Sequence, residues 1–386
     1  MKRRDFLGLL GASGVLAVSP TVAMGMGPTR DSDRFRRLLI LVELKGGNDG
    51  LNTVIPYADD NYYALRPQLG IRADGLFKLD DRVGLNKAML PLMPFWESGN
   101  LAVVQGLGYP QPNLSHFRSI EIWDTASRSN QYVDAGWISR ALLASPVPQS
   151  FTADALVAGS SDLGPLAGGA RAVTLGASGD FERQARLATL ANRPGGGALA
   201  HVLRVEADVS HAAQSLGGAV ALKTEFPNHE FGRTCRTACE TLARSNGVAV
   251  VRLTIGSFDT HQNQAGRHTA LLTQLSEGLS SLKSALVELG RWDDSLILSY
   301  SEFGRRPREN QSGGTDHGTV APHFVLGGKV RGGLYGQTPS LARLDETDNL
   351  PWQIDFRQLY ATVLERWWQL PSQDLLGGKF QSLNIV

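Results

Sequence analysis

The stretch SLILSYSEFGRRPRENQSGGTDHGTVAPHFVLGG, residues 295–328, decides how the rest of the chain is read. Its first six residues are a mostly apolar run too short for a buried helix, and it delivers Glu302 just past its end, with Asp316 and His317 following in the loop. Two other segments follow the same plan. RLLILVELKGGNDGLN (37–52) ends a β-branched and leucine-rich run with Asp49, and VAVVRLTIGSFDTHQNQ (248–264) ends another with Asp259 and His261. Continuous apolar runs of this length are the mark of strands buried on both faces, as in a parallel sheet. Sites in open α/β sheets form outside the carboxyl ends of such strands. Carboxylates and imidazoles are the donors from which a divalent metal site is built.

Between these runs the pattern changes period. KAMLPLMPFWESG (87–99) reads as a helix and LAVVQGLG (101–108) as the next buried strand, while RHTALLTQLSEGLSSLKSALVEL (267–289) is a long amphipathic helix before the strand at 295–301. After YPQPNL, Ser115 stands where a helix begins, with Phe117, Ile120 and Trp123 at helical spacing. DFRQLYATVLERWWQL (355–370) makes a last helix with Phe356, Tyr360, Leu364 and Trp367 along one stripe. Helical spacing also covers 199–223 and 231–245. The alternation predicts an α/β fold: a mainly parallel sheet flanked by helices. The region from about 146 to 230 is rich in Gly, Ala, Ser and Pro (GSSDLGPLAGGARAVTLGASGD, NRPGGGA) and reads as an insertion or cap over that sheet.

Composition bounds the function. With 386 residues, 42% of them hydrophobic, the chain has material for a sizeable core, and a net charge of +1 from 38 basic and 37 acidic residues gives no electrostatic footprint for nucleic acid or an anionic membrane. The start, MKRRDFLGLLGASGVLAVSPTVAMG, pairs Arg3 with Arg4 ahead of a short apolar run broken by glycine. This reads as a twin-arginine export signal within residues 1–28, served by the twin-arginine translocase. It predicts a periplasmic or secreted protein with one domain over 29–386 and no stable membrane span. Cys235 and Cys239 lie four apart on a helical segment, where a disulfide is geometrically awkward, and read as small packing residues.

Each candidate has a plainer reading beside it. An Asp after a strand is commonly a turn former, a Ser at a helix start is as readily an N-cap as a nucleophile, and Arg305 with Arg306 is either an anion clamp or a solvated pair. Lys45 is a further candidate for an anion. Of the eight histidines, His116, His261, His317 and His323 fall in the loops of interest, and His201, His211, His229 and His268 fall on or near helical segments.

Taken in order, LKGGNDGLNTVIP, SHFRS ahead of a Trp, FDTHQNQ, SEFGR, and GTDHG leading to FVLGGKVRGG, the segments resemble the DUF1501 family of exported bacterial proteins. That family is similar, at a distance, to the alkaline phosphatase and sulfatase superfamily. The resemblance implies an alkaline-phosphatase-like sheet with one or two divalent metals (zinc, or calcium, magnesium or manganese) at its carboxyl edge, and a phosphate or sulfate ester, small-molecule or glycan, as substrate. It places Asp49 and Glu302 at one metal, Asp259, His261 and His317 at the other, and Ser115 as the nucleophile. Arg305, shortly after Glu302, is the candidate for the anion. Asp316 or His116 would make up for missing donors. Three departures stand out. Phe303 occupies the position of a pairing histidine, His261 follows Asp259 by two positions instead of four, and Asn263 fills the usual place. The pattern therefore admits a hydrolase with a degenerate second site. It equally admits a non-catalytic envelope protein that keeps the fold and at most one metal.

Overall fold

The computed structural model describes residues 34–175 and 220–386. The expected export signal lies outside the described residues, as does the 176–219 part of the expected insertion. Among the described residues no helix is long and apolar enough to cross a membrane.

Fourteen strands are described: β1 (Leu38–Leu44), β2 (Val54–Ile55), β3 (Leu76–Lys78), β4 (Gly84–Asn86), β5 (Leu101–Gly108), β6 (Ala155–Ala158), β7 (Ala172–Leu175), β8 (Val250–Ile255), β9 (Ser295–Tyr300), β10 (Gly304–Glu309), β11 (Thr315–Gly318), β12 (Ala321–Leu326), β13 (Gly333–Tyr335) and β14 (Ile354–Asp355). The helices are α1 (Asp60–Leu65), α2 (Met93–Glu97), α3 (His116–Thr125), α4 (Trp137–Ala144), α5 (Glu230–Arg244), α6 (Gln264–Glu288) and α7 (Arg357–Thr362).

Nine strands form one sheet in the order β13-β5-β12-β9-β1-β8-β6-β7, with β14 also on β5. Every pairing is parallel except those of β12, which runs against both β5 and β9. Because β12 opposes both neighbours, β5 points the same way as β9. The carboxyl ends of β1, β5, β8 and β9 therefore share one edge. The apolar runs explain the burial: every residue of β1, β5, β8 and β9 is buried. Within the stretch expected to be an insertion, β6 and β7 extend the sheet beyond β8.

Alternate residues of each strand feed opposite faces, as strand geometry requires. Ile40, Val42, Val251, Leu253 and Ile297 join Phe231, Cys235, Leu272 and Leu279 of α5 and α6 in one core. Leu39, Leu41, Val250, Leu296 and Leu298 join Ile122, Trp137, Tyr360 and Leu364 in the other. The result is helices on both faces of a mainly parallel sheet, as the alternation predicts. Cys235 and Cys239 are both free and buried, packed in the first core as their spacing suggests. On α3 the expected stripe is only partly right. Trp123 is buried, but Phe117 is 89% exposed, and the inward face is made by Ser119, Ile122 and Trp123.

Two histidines are built into the cores. His323, expected in a site loop, lies on β12 with its ring edge-on to Trp123 and neither ring nitrogen bonded, and burial pushes its pKa down from 6.5 to about 3. His268, expected on or near a helical segment, lies on α6 and is buried with Nε2 2.9 Å from Asn48 Oδ1, and burial lowers its pKa to about 4. Both groups bind fewer protons folded than unfolded below pH 6.5, so their contribution to stability is full above that pH and is lost as pH falls toward 4 and 3. Each contributes a slope of about 1.4 kcal/mol per pH unit in that window. Urea unfolding of His323→Leu and the parent between pH 4 and 6.5 is expected to show a flatter acid limb in the variant. The variant should also be at least as stable at neutral pH, since an unpaired polar ring is removed.

Candidate metal centre

The site begins with a turn. After β1 the backbone swings through Gly46 and Gly47 at φ +119° and +80°. A side chain at Gly46 would run into the backbone of Phe258 and Asp259, and one at Gly47 into the Phe303 ring. This closeness brings the β1, β8 and β9 loops together. Phe303, in the place where a ligand histidine was expected, is buried, and its ring lies 4.8 Å from that of His116 and 4.4 Å from that of His317. It forms an apolar wall beside the histidines.

Arg305 and Asp49 have other partners than those expected. The Arg305 side chain is buried: Nε donates to Gly47 O at 2.7 Å, Nη1 to Thr315 O at 2.8 Å, and Nη2 to Phe258 O at 3.1 Å, to Asp259 Oδ1 at 2.6 Å and to Gly46 O. Its donors are engaged within the protein, so it ties the loops together instead of clamping an anion. Asp49 is fully buried in a bidentate pair with Arg66, at 2.6 and 2.9 Å, and its Oδ2 also accepts from Gln264. Burial opposes its ionisation, but the Arg66 charge prevails and holds the carboxyl below its usual range. A guanidinium supplies the positive charge that a metal was expected to bring. Arg66 also donates to Asn52, Arg306 and Pro307, so no loose end remains.

Glu302, also expected to bind metal, is buried and accepts from the Gly46 N–H at 2.9 Å and from His116 Nδ1 at 2.8 Å. His116 turns its other nitrogen outward: Nε2 stands 3.5 Å from Asp259 Oδ2. The Glu302 hydrogen bond raises the His116 pKa above its ordinary value. His317, on β11, has Nδ1 2.8 Å from Leu114 O and Nε2 3.3 Å from Asp259 Oδ1, and burial lowers its pKa. His261 sets Nδ1 against Asp316 Oδ1 at 3.3 Å and Nε2 against Asp259 Oδ1 at 3.0 Å. Partial burial opposes the charge on Asp259, but Arg305 and the histidines outweigh it and hold its pKa down to about 2. Asp316 is held below its usual range mainly by an Asn310 hydrogen bond.

His116, Asp259 and His317 offer ligand atoms that all lie within 4.8 Å of one another, with His261 beside them. The donor set itself fits a cation. With Nδ1 protonated toward the oxygen each ring faces, neutral His317 and His261 would point bare Nε2 lone pairs at each other across 3.0 Å. Only a proton or a metal between them relieves that repulsion. Of the residues expected from sequence, Asp259, His261, Asp316 and His317 come together here. Arg305 and Glu302 border the cluster through Asp259 and His116, and Asp49 is engaged elsewhere with Arg66. Ser115 is exposed one residue before His116, with no side-chain bond to its own helix. His116 is a central member, although the sequence offered it only as a substitute. Its adjacency to Ser115 in SHFRS was the signal. Arg66 had none, because its partner lies across a loop.

The model of the family described as "Protein of unknown function (DUF1501)" matches residues 101–377. The chain belongs to that family. The DUF1501 match takes in Ser115, His116, Asp259, Glu302 and His317, and leaves Asp49 and Arg66 outside. No curated protein matches the sequence. Solved structures similar to this DUF1501 chain include a protein in the alkaline phosphatase superfamily from Vibrio parahaemolyticus, at 10% identity and a TM-score of 0.43, covering 89% of this chain and 69% of that one. The lipoteichoic acid synthase LtaP from Listeria monocytogenes gives 10% identity and 0.40, covering 89% and 75%. The C-terminal periplasmic domain of EcEptC from Escherichia coli, in complex with zinc, gives 9% and 0.37, covering 75% and 72%.

Removing one partner of a buried bidentate pair strands the other charge. Arg66→Ala is expected to destabilise the fold by ~3–5 kcal/mol, measured by denaturant unfolding at neutral pH, with much of the loss recovered in Arg66→Ala/Asp49→Ala.

Proposed function

We propose that this DUF1501 chain is an exported hydrolase of phosphate or sulfate esters that works with one divalent metal. The observation that carries the reading is the convergence of the outward nitrogens of His116 and His317 on Asp259, each ring backed by an oxygen acceptor. Imidazole with a single carboxylate suits zinc better than calcium or magnesium, which prefer all-oxygen shells. His116, Asp259 and His317 would hold the ion, with His261 able to complete or vacate a fourth position. A bound divalent ion would supply Lewis acidity toward an ester oxygen. Asp49 has both oxygens engaged by Arg66, and Glu302 turns Oε1 to Gly46 and His116, which supports a count of one and not two.

Ser115 is the group offered to the substrate. It opens α3 beside His116, where the unpaired N–H groups of a helix start favour an anionic oxygen. A small-molecule or glycan ester fits this open edge. Export by the twin-arginine route, argued from Arg3 and Arg4, would let the chain fold before crossing and act in the periplasm or beyond it.

A second reading has its own support. Arg305, the expected anion clamp, is saturated by carbonyls and Asp259, which favours a metal-holding binder of envelope glycans or anions without turnover. Metal analysis of the purified chain is expected to give one zinc per molecule, lost in Asp259→Ala. Turnover of an aryl phosphate or aryl sulfate that falls at least 100-fold in Ser115→Ala while the zinc is retained supports the hydrolase. Zinc without any turnover supports the binder, and a metal-free protein at saturating zinc rejects both.

A further inference from the structure

We infer that Glu302 is a positioning residue: it acts on the metal only through His116, whose outward nitrogen it fixes as the donor. This rests on the one-metal reading. Three observations define the role. Oε1 of this buried carboxylate accepts both the His116 Nδ1 proton at 2.8 Å and the Gly46 N–H at 2.9 Å, so the oxygen behind His116 is held from a second side. The Gly46 N–H cannot drift away, because that residue sits at φ +119° pressed on the backbone of Phe258 and Asp259. Finally, the main chain of Glu302 is fixed to the helix that carries His116, since Ser119 Oγ on α3 donates to Glu302 O. Main chain and side chain of one residue thus hold the first turn of α3 in place.

The three imidazoles differ in what stands behind them. Leu114 O backs His317, the half-exposed Asp316 backs His261, and only His116 is backed by a buried carboxylate. A buried carboxylate behind a ligand imidazole selects the tautomer with Nδ1 protonated, leaves Nε2 bare toward Asp259, and makes that nitrogen a stronger donor.

The test uses the purified full chain, with zinc affinity read by competition with a chromophoric chelator and the His116 tautomer read from 15N spectra of the metal-free protein. Glu302→Gln keeps an oxygen facing Nδ1 but removes the charge. The tautomer should persist while zinc affinity falls about tenfold. Glu302→Ala removes the acceptor, so the tautomer preference should be lost and affinity should fall about 100-fold, still short of the complete loss in Asp259→Ala. If Glu302→Gln loses zinc as completely as Asp259→Ala, Glu302 is a ligand and the inference falls. If both variants bind zinc like the parent with an unchanged tautomer, its role is only structural and the inference falls again. Should Glu302→Ala fail to fold, the Glu302→Gln pair of readouts decides. A parent that takes up no zinc rejects the one-metal reading instead, and the positioning claim is then decided by whether His116 changes tautomer in Glu302→Ala.

Discussion

The buried guanidinium of Arg305 is the constraint on which the site depends. It gathers carbonyl oxygens from the β1 loop, the β8 loop and the β10–β11 hairpin, and then holds Asp259 from below. Loops at a sheet edge carry many backbone oxygens that the ladder leaves unpaired, and burying them without donors is costly. One planar cation with five N–H groups solves that for three loops at once. The same contact helps keep Asp259 ionised.

Asp49 and Arg66 repeat this logic one step further from solvent. An acid at the end of a buried strand must be neutralised, and here a guanidinium supplies the charge with two parallel hydrogen bonds. Gln264 and His268, both from α6, close the remaining sides of Asp49 and its neighbour Asn48. This pocket is satisfied throughout, whereas the centre around Asp259 has nitrogens that face one another. The contrast between a saturated and an unsaturated polar cluster distinguishes scaffold from site within a few residues of chain.

Much of the architecture was legible because buried parallel strands announce themselves. β1, β5, β8 and β9 are apolar runs bounded by turn residues, and each lies within two residues of its expected position. Which loops carry acids and histidines follows from the same runs. The partners of those acids did not follow. Whether a carboxylate meets a metal, an arginine or a histidine depends on side chains arriving from distant loops, and neither the place of Arg66 at the end of α1 nor that of Arg305 in the hairpin carries a periodic signal. The exposed Phe117 shows a related limit: helical spacing marks a stripe, but which residues on it turn inward depends on what the helix packs against. β6 and β7 carry a weaker signal for another reason, since short strands in a glycine-rich stretch lack the apolar run that marks the others.

The contact between His317 and Leu114 spans 203 residues of chain. His116 follows β5, Asp259 follows β8 and His317 lies on β11, so these three are in register only once those elements have come together. Loop-closure entropy of this kind is met late, when most native surface is already buried. Ion uptake would therefore follow folding as its last event, and a loaded centre would mark a finished molecule.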